Sequence, residues 1–452
     1  MTTTAPPFSH RDEGTPEAVW TQAAQWEQVP ELPTLRRGET ERLVVVSAHP
    51  DDESLGAGGL IALADSLEIP VHVVLLTAGE GSHPDSPTHS RERLAPIRLA
   101  EFERAMAELA PLATTTFVGL SDGAVDAGAD DAIEALVEAI GTHGDTTLVV
   151  APWRRDGPAD HEAAGRIAAV AARRTDARLV EYPVWLWHWG APDLAPWTEF
   201  VQLPLTARLR SRKGEAMAHY RSQSTPLSDQ PGDEAILDEE VLSHFARDRE
   251  VLIVASDATE DPATDDLHPD DLDPWSVTAS WYDRRKRALI LAALPREQYR
   301  RALEIGCSIG TLAADLAPRC DELVAVDRSP TAVSRANESL SAHDGARAVE
   351  LTVPDDWPVG TFDLVVMSET GYFLSPRQLG ETLARIRETL SSDGALLLCH
   401  WRHPIGGWPF NGDDVHTIAM ERSGLTVAVE HRERDFLLHV LTRGEDGRDG
   451  LG

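Results

Sequence analysis

Lysine is nearly missing from this chain: Lys213 and Lys286 stand alone among 41 basic residues. Arginine does the rest of the work, which reads as a compositional bias and not as a functional signal. Cysteine is scarce as well, with Cys307, Cys320 and Cys399 all in the second half and no CxxC pair among them. An odd, widely spaced set excludes a disulfide framework and a cysteine zinc site, and it points to a reducing cytoplasm. No apolar run approaches the roughly 20 residues that span a bilayer. The N-terminus also lacks the apolar core of a signal peptide. Basic charge is outweighed too: 75 acidic residues leave a formal net charge of −34. That balance excludes a nucleic-acid backbone or an anionic membrane as partner, since both require a basic face. The expectation is a soluble, cytoplasmic protein that acts on small molecules or glycoconjugates. What the chain does have is size, 452 residues with 42% apolar content. That suits two or three domains with real cores.

From Arg42 onward, short apolar runs alternate with helical patterns. Strands are expected at 43–48, 71–77, 116–120, 147–152 and 179–185, with helices at 58–67, 91–109, 130–141 and 161–173 between them. Alternation of this kind implies a mostly parallel sheet covered on both faces. Between Ser256 and Pro274, Asp, Pro and Thr dominate and the periodicity stops. A second α/β series follows, with strands expected near 302–305, 322–326, 348–351, 364–367 and 395–399, then 426–432 and 435–442. The organisation expected is an N-terminal arm (1–36), a first domain (37–255), a linker (256–270), a second domain (271–443) and a disordered tail (444–452). Each domain is expected to be a Rossmann-like three-layer α/β unit, with ligands at the C-terminal ends of its strands.

The first domain carries Ala48-His49-Pro50-Asp51-Asp52-Glu53-Ser54 directly after an apolar strand. His49 and Asp52 lie three residues apart, so a turn into a helix points both at one spot. Imidazole plus carboxylate suits zinc, and a catalytic zinc needs a third protein ligand and an open position. Asp51, beside the metal but not bound to it, then stands where a general base belongs. The stretch Ala151 to Glu162 offers the third ligand, His161, with Asp160 as its orienting neighbour. These residues resemble the LmbE/PIG-L family of zinc-dependent N-deacetylases over about residues 40 to 255. Gly79-Glu80-Gly81-Ser82, Arg98, Glu101 and the stretch from His219 to Gln223 extend the likeness. The resemblance implies removal of acetyl from N-acetylglucosamine-type sugars, with His49, Asp52 and His161 as Zn2+ ligands and Asp51 as base. One position departs from the pattern. Where the family carries a histidine three residues before the last ligand, this chain has Pro158, which can neither donate a hydrogen bond nor carry a proton. That role falls to His188 or His219, between which the sequence does not choose.

In the second domain, Glu304-Ile305-Gly306-Cys307-Ser308-Ile309-Gly310 joins a strand to a helix through glycines, which let a ligand approach the backbone. Asp327, ending the next strand about 20 residues on, can accept both hydroxyls of a ribose. The order E-x-G-x-x-x-G resembles class I S-adenosylmethionine-dependent methyltransferases. With Trp275, Ser280-Trp281-Tyr282, Arg284-Arg285, Asp355-Asp356-Trp357-Pro358 and Ser368 to Tyr372, it resembles the nodulation-type N-methyltransferases over residues 271 to 443. The resemblance implies S-adenosyl-L-methionine held by Glu304, Gly306, Ser308, Gly310 and Asp327, with Asp355, Asp356 or Trp357 near the adenine. Glu369 and Tyr372 are then the catalytic pair facing donor methyl and acceptor, Glu369 taking the amine's proton or holding its ammonium. His400, Trp401, Asp413 and His416 fall on the acceptor side.

Together the two halves imply a bifunctional enzyme in which one domain frees an amine and the other methylates it. The alternative is a methyltransferase whose first domain binds metal and glycan but hydrolyses poorly, and Pro158 is its support.

Overall fold

Buried parallel strands read as unbroken apolar runs because both faces are covered, and those runs are where the strands form. The computed structural model describes residues 11–254, except 34 and 37, and residues 280–443. The expected linker 256–270, the tail 444–452 and Trp275 lie outside the described residues. The chain divides into two compact units, Met1–Thr259 and Glu260–Gly452.

The first unit is built on β1 (Arg42–Ser47), β2 (Val71–Thr77), β3 (Thr114–Leu120), β4 (Thr147–Pro152), β5 (Arg178–Tyr182), β6 (Phe200–Pro204) and β7 (Arg249–Val254). The sheet order is β3-β2-β1-β4-β5-β7-β6. β1 lies parallel to both β2 and β4, with Val45 opposite Val73 on one side and Val150 on the other. Only β7 runs antiparallel to its neighbours β5 and β6. β6 and β7 were not expected from the sequence, because both come after a long stretch of loops and short helices. The helix after β1 begins at Asp52, six residues before the expected start, and ends at Ser66. Gly56 acts as a spacer in it: a Cβ there would lie 2.0 Å from the Tyr182 ring. The expected arm packs onto this unit from residue 11. Trp20 is fully buried, its ring 5.0 Å from Trp187, and Glu17 pairs with His244 and Arg247.

The second unit uses β8 (Tyr299–Ile305), β9 (Cys320–Asp327), β10 (Ala346–Glu350), β11 (Phe362–Ser368), β12 (Leu390–Trp401), β13 (Thr426–Arg432) and β14 (Phe436–Thr442). Its order, β10-β9-β8-β11-β12-β14-β13, repeats that of the first unit shifted by seven strands. Both sheets reverse direction of growth beside their first strand, between β1 and β4 and between β8 and β11. That reversal is where open α/β sheets leave a crevice at the strand ends. Among the described residues, no helix is long and apolar enough to cross a membrane.

Candidate active sites

The exit of β1 supplies the first site. Ala48 to Asp51 turn the chain into the helix Asp52–Ser66, and Asp51 sits at φ 124. A residue with a Cβ is strained there by about 1–3 kcal/mol, so its surroundings must hold it. Arg98, buried in the helix Arg91–Leu109, does so. Its Nη2 donates to Asp51 Oδ2 at 3.0 Å and to the Pro50 carbonyl at 2.6 Å, while Nη1 donates to the Gly79 carbonyl at 2.5 Å. The Asp51 amide donates to Glu53 at 3.2 Å. Burial pushes the Asp51 carboxyl up to about 7, with Arg98 opposing and Asp52 and Glu53 adding.

His49, Asp52 and His161 converge beside it. One donor atom from each falls within 4.8 Å of the others. His161 Nε2 is 3.2 Å from Asp52 Oδ1, and the His49 amide donates to Asp52 Oδ2 at 2.8 Å. His161 Nδ1 lies 2.9 Å from Asp156 Oδ2, and Asp156 is itself fixed by the amides of Val184, Trp185 and Leu186 at 2.9–3.0 Å. A carboxylate so held accepts from Nδ1–H and turns Nε2 toward Asp52, the arrangement a metal-ligating imidazole needs. The orienting neighbour of His161 is therefore Asp156 and not Asp160. Asp160 instead faces His49 Nε2 at 3.2 Å and accepts from the Gly123 and Val125 amides. Asp122, at the end of β3, faces the same nitrogen at 3.2 Å.

The donor chemistry fits a divalent cation. Four carboxylates, Asp52, Asp122, Asp156 and Asp160, surround two imidazoles. For His49, burial acts downward, yet the contacts to Asp122 and Asp160 raise it to about 9; for His161, Asp52 and Asp156 likewise outweigh burial. Such an excess of negative charge calls for a positive one, and two imidazoles with one carboxylate suit zinc.

Pro158 caps the helix Ala159–Thr175 without a side-chain hydrogen bond. Of the two histidines considered in its place, His219 lies 3.7 Å from Glu108, ten residues beyond Arg98 on the same helix, or about 15 Å along its axis. His188 is buried just after the amides that hold Asp156, under Gly14 and Thr15 of the arm, and its carbonyl accepts from Thr15 at 2.9 Å. Glu101 accepts from the Ser222 amide and hydroxyl, and Gln223 Nε2 donates to Ser82 at 3.3 Å.

The exit of β8 forms the second site. Gly306, Ser308 and Gly310 all have positive φ, and Gly310 caps the helix Thr311–Leu316. A Cβ on Gly306 would lie 2.1 Å from Thr370 Oγ1, so only glycine lets the turn pack against the end of β11. Asp327, ending β9, accepts from the amides of Ser308 at 2.9 Å and Ser329 at 3.0 Å. Glu304 is 2% exposed and its Oε2 has no hydrogen-bond partner among the described residues. Burial, with Asp327 and Asp315, raises its carboxyl well above the usual range. An orphaned buried carboxyl under a glycine turn fits a ligand's ammonium.

Beyond β10, Asp355 and Asp356 are exposed, and the Asp356 carboxylate turns back to the Thr352 amide at 3.4 Å. Trp357 is not brought to the glycine turn. Its indole donates to Thr389 at 3.3 Å, and Thr389 precedes Leu390, which pairs with Phe362 at the N-terminal ends of β11 and β12. The loop has already crossed the sheet by that residue.

Glu369, just past β11, sits at φ 56. Its Oε1 accepts from Lys286 Nζ at 2.8 Å, and its Oε2 from the Tyr372 hydroxyl and from the Trp401 amide at 3.0 Å. Burial acts against ionisation, but the Lys286 ammonium and the Tyr372 hydroxyl hold the carboxyl below its usual value. Three residues expected on the acceptor side are enclosed or engaged within the domain. His400 and His416 are fully buried, and Asp413 is engaged by Arg402 at 2.9–3.1 Å.

Sequence reasoning missed three members. Asp156 lies in the loop that leads into the helix carrying His161. Asp122 follows β3 at the same sheet edge. Lys286 was hidden in the basic run from Arg284 to Arg287, although it is one of only two lysines.

Two α/β units in tandem, each with its polar groups gathered at the reversal of its sheet, define the class of chain. The comparisons make the families specific. Residues 44–172 match the family model for PIG-L, GlcNAc-PI de-N-acetylase, and residues 257–432 match that for NodS, nodulation protein S. The chain thus carries a likeness to PIG-L in its first unit and to NodS in its second. Nodulation protein S of Rhizobium tropici is 30% identical over 103 residues, 23% of this chain and 43% of that protein. The "Probable N-acetyl-alpha-D-glucosaminyl L-malate deacetylase 2" of Bacillus subtilis is 32% identical over 137 residues, 30% of this chain and 62% of that protein. The crystal structure of N-methyltransferase NodS from Bradyrhizobium japonicum WM9 in complex with S-adenosyl-l-homocysteine is 24% identical. It covers 41% of this chain and 100% of its own, with a TM-score of 0.38. The chain spans about half the length of the nodulation proteins it matches, 43%, 56% and 48% in three cases.

Proposed function

We propose that this chain is a bifunctional enzyme: its first domain hydrolyses an N-acetyl amide on an amino-sugar-type substrate, and its second methylates the freed amine from S-adenosyl-L-methionine. The observation that carries the reading is the convergence of His49, Asp52 and His161 with Asp51 alongside, in a chain that also holds Glu304 and Asp327 around a glycine turn. His49, Asp52 and His161 would hold a divalent metal, zinc by the donor set, which when bound polarises the amide carbonyl and acidifies water. Asp51 takes the proton as water attacks the acetyl carbon and returns it to the nitrogen as the C–N bond breaks. Arg98 keeps the Asp51 carboxylate aimed. In the second domain, Asp327 binds the ribose hydroxyls and Glu304 the ammonium of the methyl donor, with Asp355 or Asp356 toward the adenine. A neutral amine attacks the methyl carbon, the C–S bond breaks, and the resulting ammonium gives its extra proton to solvent water. Glu369, with Tyr372, fixes the acceptor nitrogen in line.

The product of the first reaction is the nucleophile of the second, and tethering the two sites raises the effective concentration of the intermediate. Mass spectrometry of the products from N-acetylglucosamine and glucosamine, each with S-adenosyl-L-methionine and zinc, tests both halves. Loss of acetyl and gain of methyl are expected. Methylation of glucosamine with no acetate released from any N-acetylhexosamine would sink the hydrolytic half. Pro158 favours that second reading, a methyltransferase with an impaired first domain. Pro158→His is therefore expected to raise acetate release about tenfold, a fraction of what one electrostatic stabiliser contributes, measured as kcat on N-acetylglucosamine.

A further result follows from Glu304. Burial raises its carboxyl well above the usual range, and a ligand ammonium placed against it draws the pKa down. Binding of S-adenosyl-L-homocysteine should release a proton. Calorimetry in buffers of different ionisation enthalpy should show this release, and Glu304→Gln should abolish it.

A further inference from the structure

Three buried histidines from three different elements join end to end behind Glu369. The Gly371 amide, in the turn Gly371–Phe373, donates to His400 Nε2 at 3.1 Å. His400, on β12, reaches His416 through Nδ1 to Nε2 at 3.0 Å. His416, on the helix Gly412–Arg422, reaches His439 of β14 through Nδ1 to Nδ1 at 2.7 Å. His439 Nε2 ends 3.9 Å from Glu430, its register partner on β13, whose side chain is 57% exposed.

The direction of this chain is fixed at its inner end. A backbone amide can only donate, so His400 Nε2 must accept and its Nδ1 must carry the proton. His416 then accepts at Nε2 and donates from Nδ1, and His439 accepts at Nδ1 and carries its proton on Nε2, toward Glu430. A second proton on any of the three rings would set N–H against N–H or leave a donor without an acceptor. We infer that His400, His416 and His439 form a one-way chain of neutral imidazoles that fixes the turn bearing Glu369 and Tyr372, making them positioning residues for methyl transfer. This rests on the methyltransferase reading of the second domain.

Two observations support it beyond the hydrogen bonds. The Tyr372 and His400 rings pack edge to face at 5.5 Å, so the chain also braces the tyrosine that donates to Glu369. The charged groups that face the chain favour neutrality. Burial lowers His400 to about 4, with Glu369 and Lys286 acting in opposite senses. Burial, the flanking imidazoles and Arg432 lower His416, and burial outweighs Glu430 at His439. Nothing in the arrangement lets a proton travel from Glu369, because the Gly371 amide closes the inner end. The chain holds and does not conduct.

Histidine 15N spectra of the full chain read the tautomers directly. At neutral pH, His400 and His416 should carry their single proton on Nδ1 and His439 on Nε2. A doubly protonated ring, or an Nε2 proton on His400, overturns the inference. His416→Leu, which removes both nitrogens at similar volume, should cut kcat for glucosamine methylation about tenfold through misplacement of the acceptor contacts, with S-adenosyl-L-homocysteine affinity unchanged. His416→Gln, which can accept and donate, should recover part of that loss. If His416→Leu does not fold, His439→Phe at the outer end should show the same kcat loss; an unchanged kcat in a folded variant overturns the positioning role. A wild-type protein that methylates no amine overturns the methyltransferase reading, whereas the wrong tautomers in an active protein overturn the chain alone.

Discussion

Asp51→Asn is expected to lower acetate release from N-acetylglucosamine by ~10³-fold, the middle of the range for a positioned general base, while methylation of glucosamine stays at the wild-type rate. Asparagine is the informative substitution because it tolerates positive φ better than other residues with a Cβ, so the turn at φ 124 survives. Its side-chain carbonyl keeps an acceptor for Arg98, which lies 3.0 Å from Asp51 Oδ2. His49, Asp52 and His161 are untouched, so metal per chain, measured by elemental analysis, should equal that of the wild type. What is lost is the capacity to take a proton from water. A variant that keeps full metal and releases acetate within about threefold of wild type would show that Asp51 holds the turn and performs no chemistry. The intact methyl transfer serves as the control for folding, since it reports on the same chain.

The two mostly parallel sheets were legible because parallel strands buried on both faces leave long apolar runs that need no partner to be recognised. β6 and β7 were illegible for the opposite reason. They join the edge of the sheet antiparallel, across a separation of more than 40 residues, and nothing in their composition says which edge they will find. The helix Asp52–Ser66 starts before the expected residue 58, and the role of Gly56 in it as a spacer exists only once Tyr182 is in place. The shared strand order of the two units was equally invisible, since order is a property of pairing and not of motif. At the sites, residues adjacent in sequence to a strand end were legible: His49, Asp51 and Asp52 after β1, Glu304 and Gly306 at the end of β8. Asp156 was not, because its role is set by amides some 30 residues away, at Val184 to Leu186. Trp357 misled because an aromatic residue close to a strand end in sequence can still lie past the point where the loop crosses the sheet.

Glu369→Gln is expected to lower kcat for glucosamine methylation by ~10²-fold, the order of loss when a preorganised charge beside the reacting atoms is removed. The same change should destabilise the second unit by about 2 kcal/mol. That figure is smaller than the 3–5 kcal/mol usual for breaking a fully buried pair, because Glu369 keeps 28% of its side-chain surface exposed. The stability loss comes from Lys286, whose ammonium is left in a pocket 10% exposed with only Asp283, 3.3 Å away, to answer it. The two effects can be separated. Lys286→Met alone should also destabilise, since it strands the carboxylate, but the double variant Lys286→Met, Glu369→Gln has no unpaired charge and should recover most of the lost stability. Its kcat should remain low. Recovery of both stability and kcat in the double variant would mean that the pair is a structural clamp and that the acceptor amine is held by other groups. Recovery of stability alone assigns the charge at Glu369 to the reaction, and it explains why one of two lysines in an arginine-rich chain is kept beneath it. A compact ammonium at 2.8 Å keeps Glu369 ionised through one oxygen while Tyr372 and the Trp401 amide bind the other. The fork of a guanidinium would spread over both oxygens and compete with the tyrosine for the place beside the methyl acceptor.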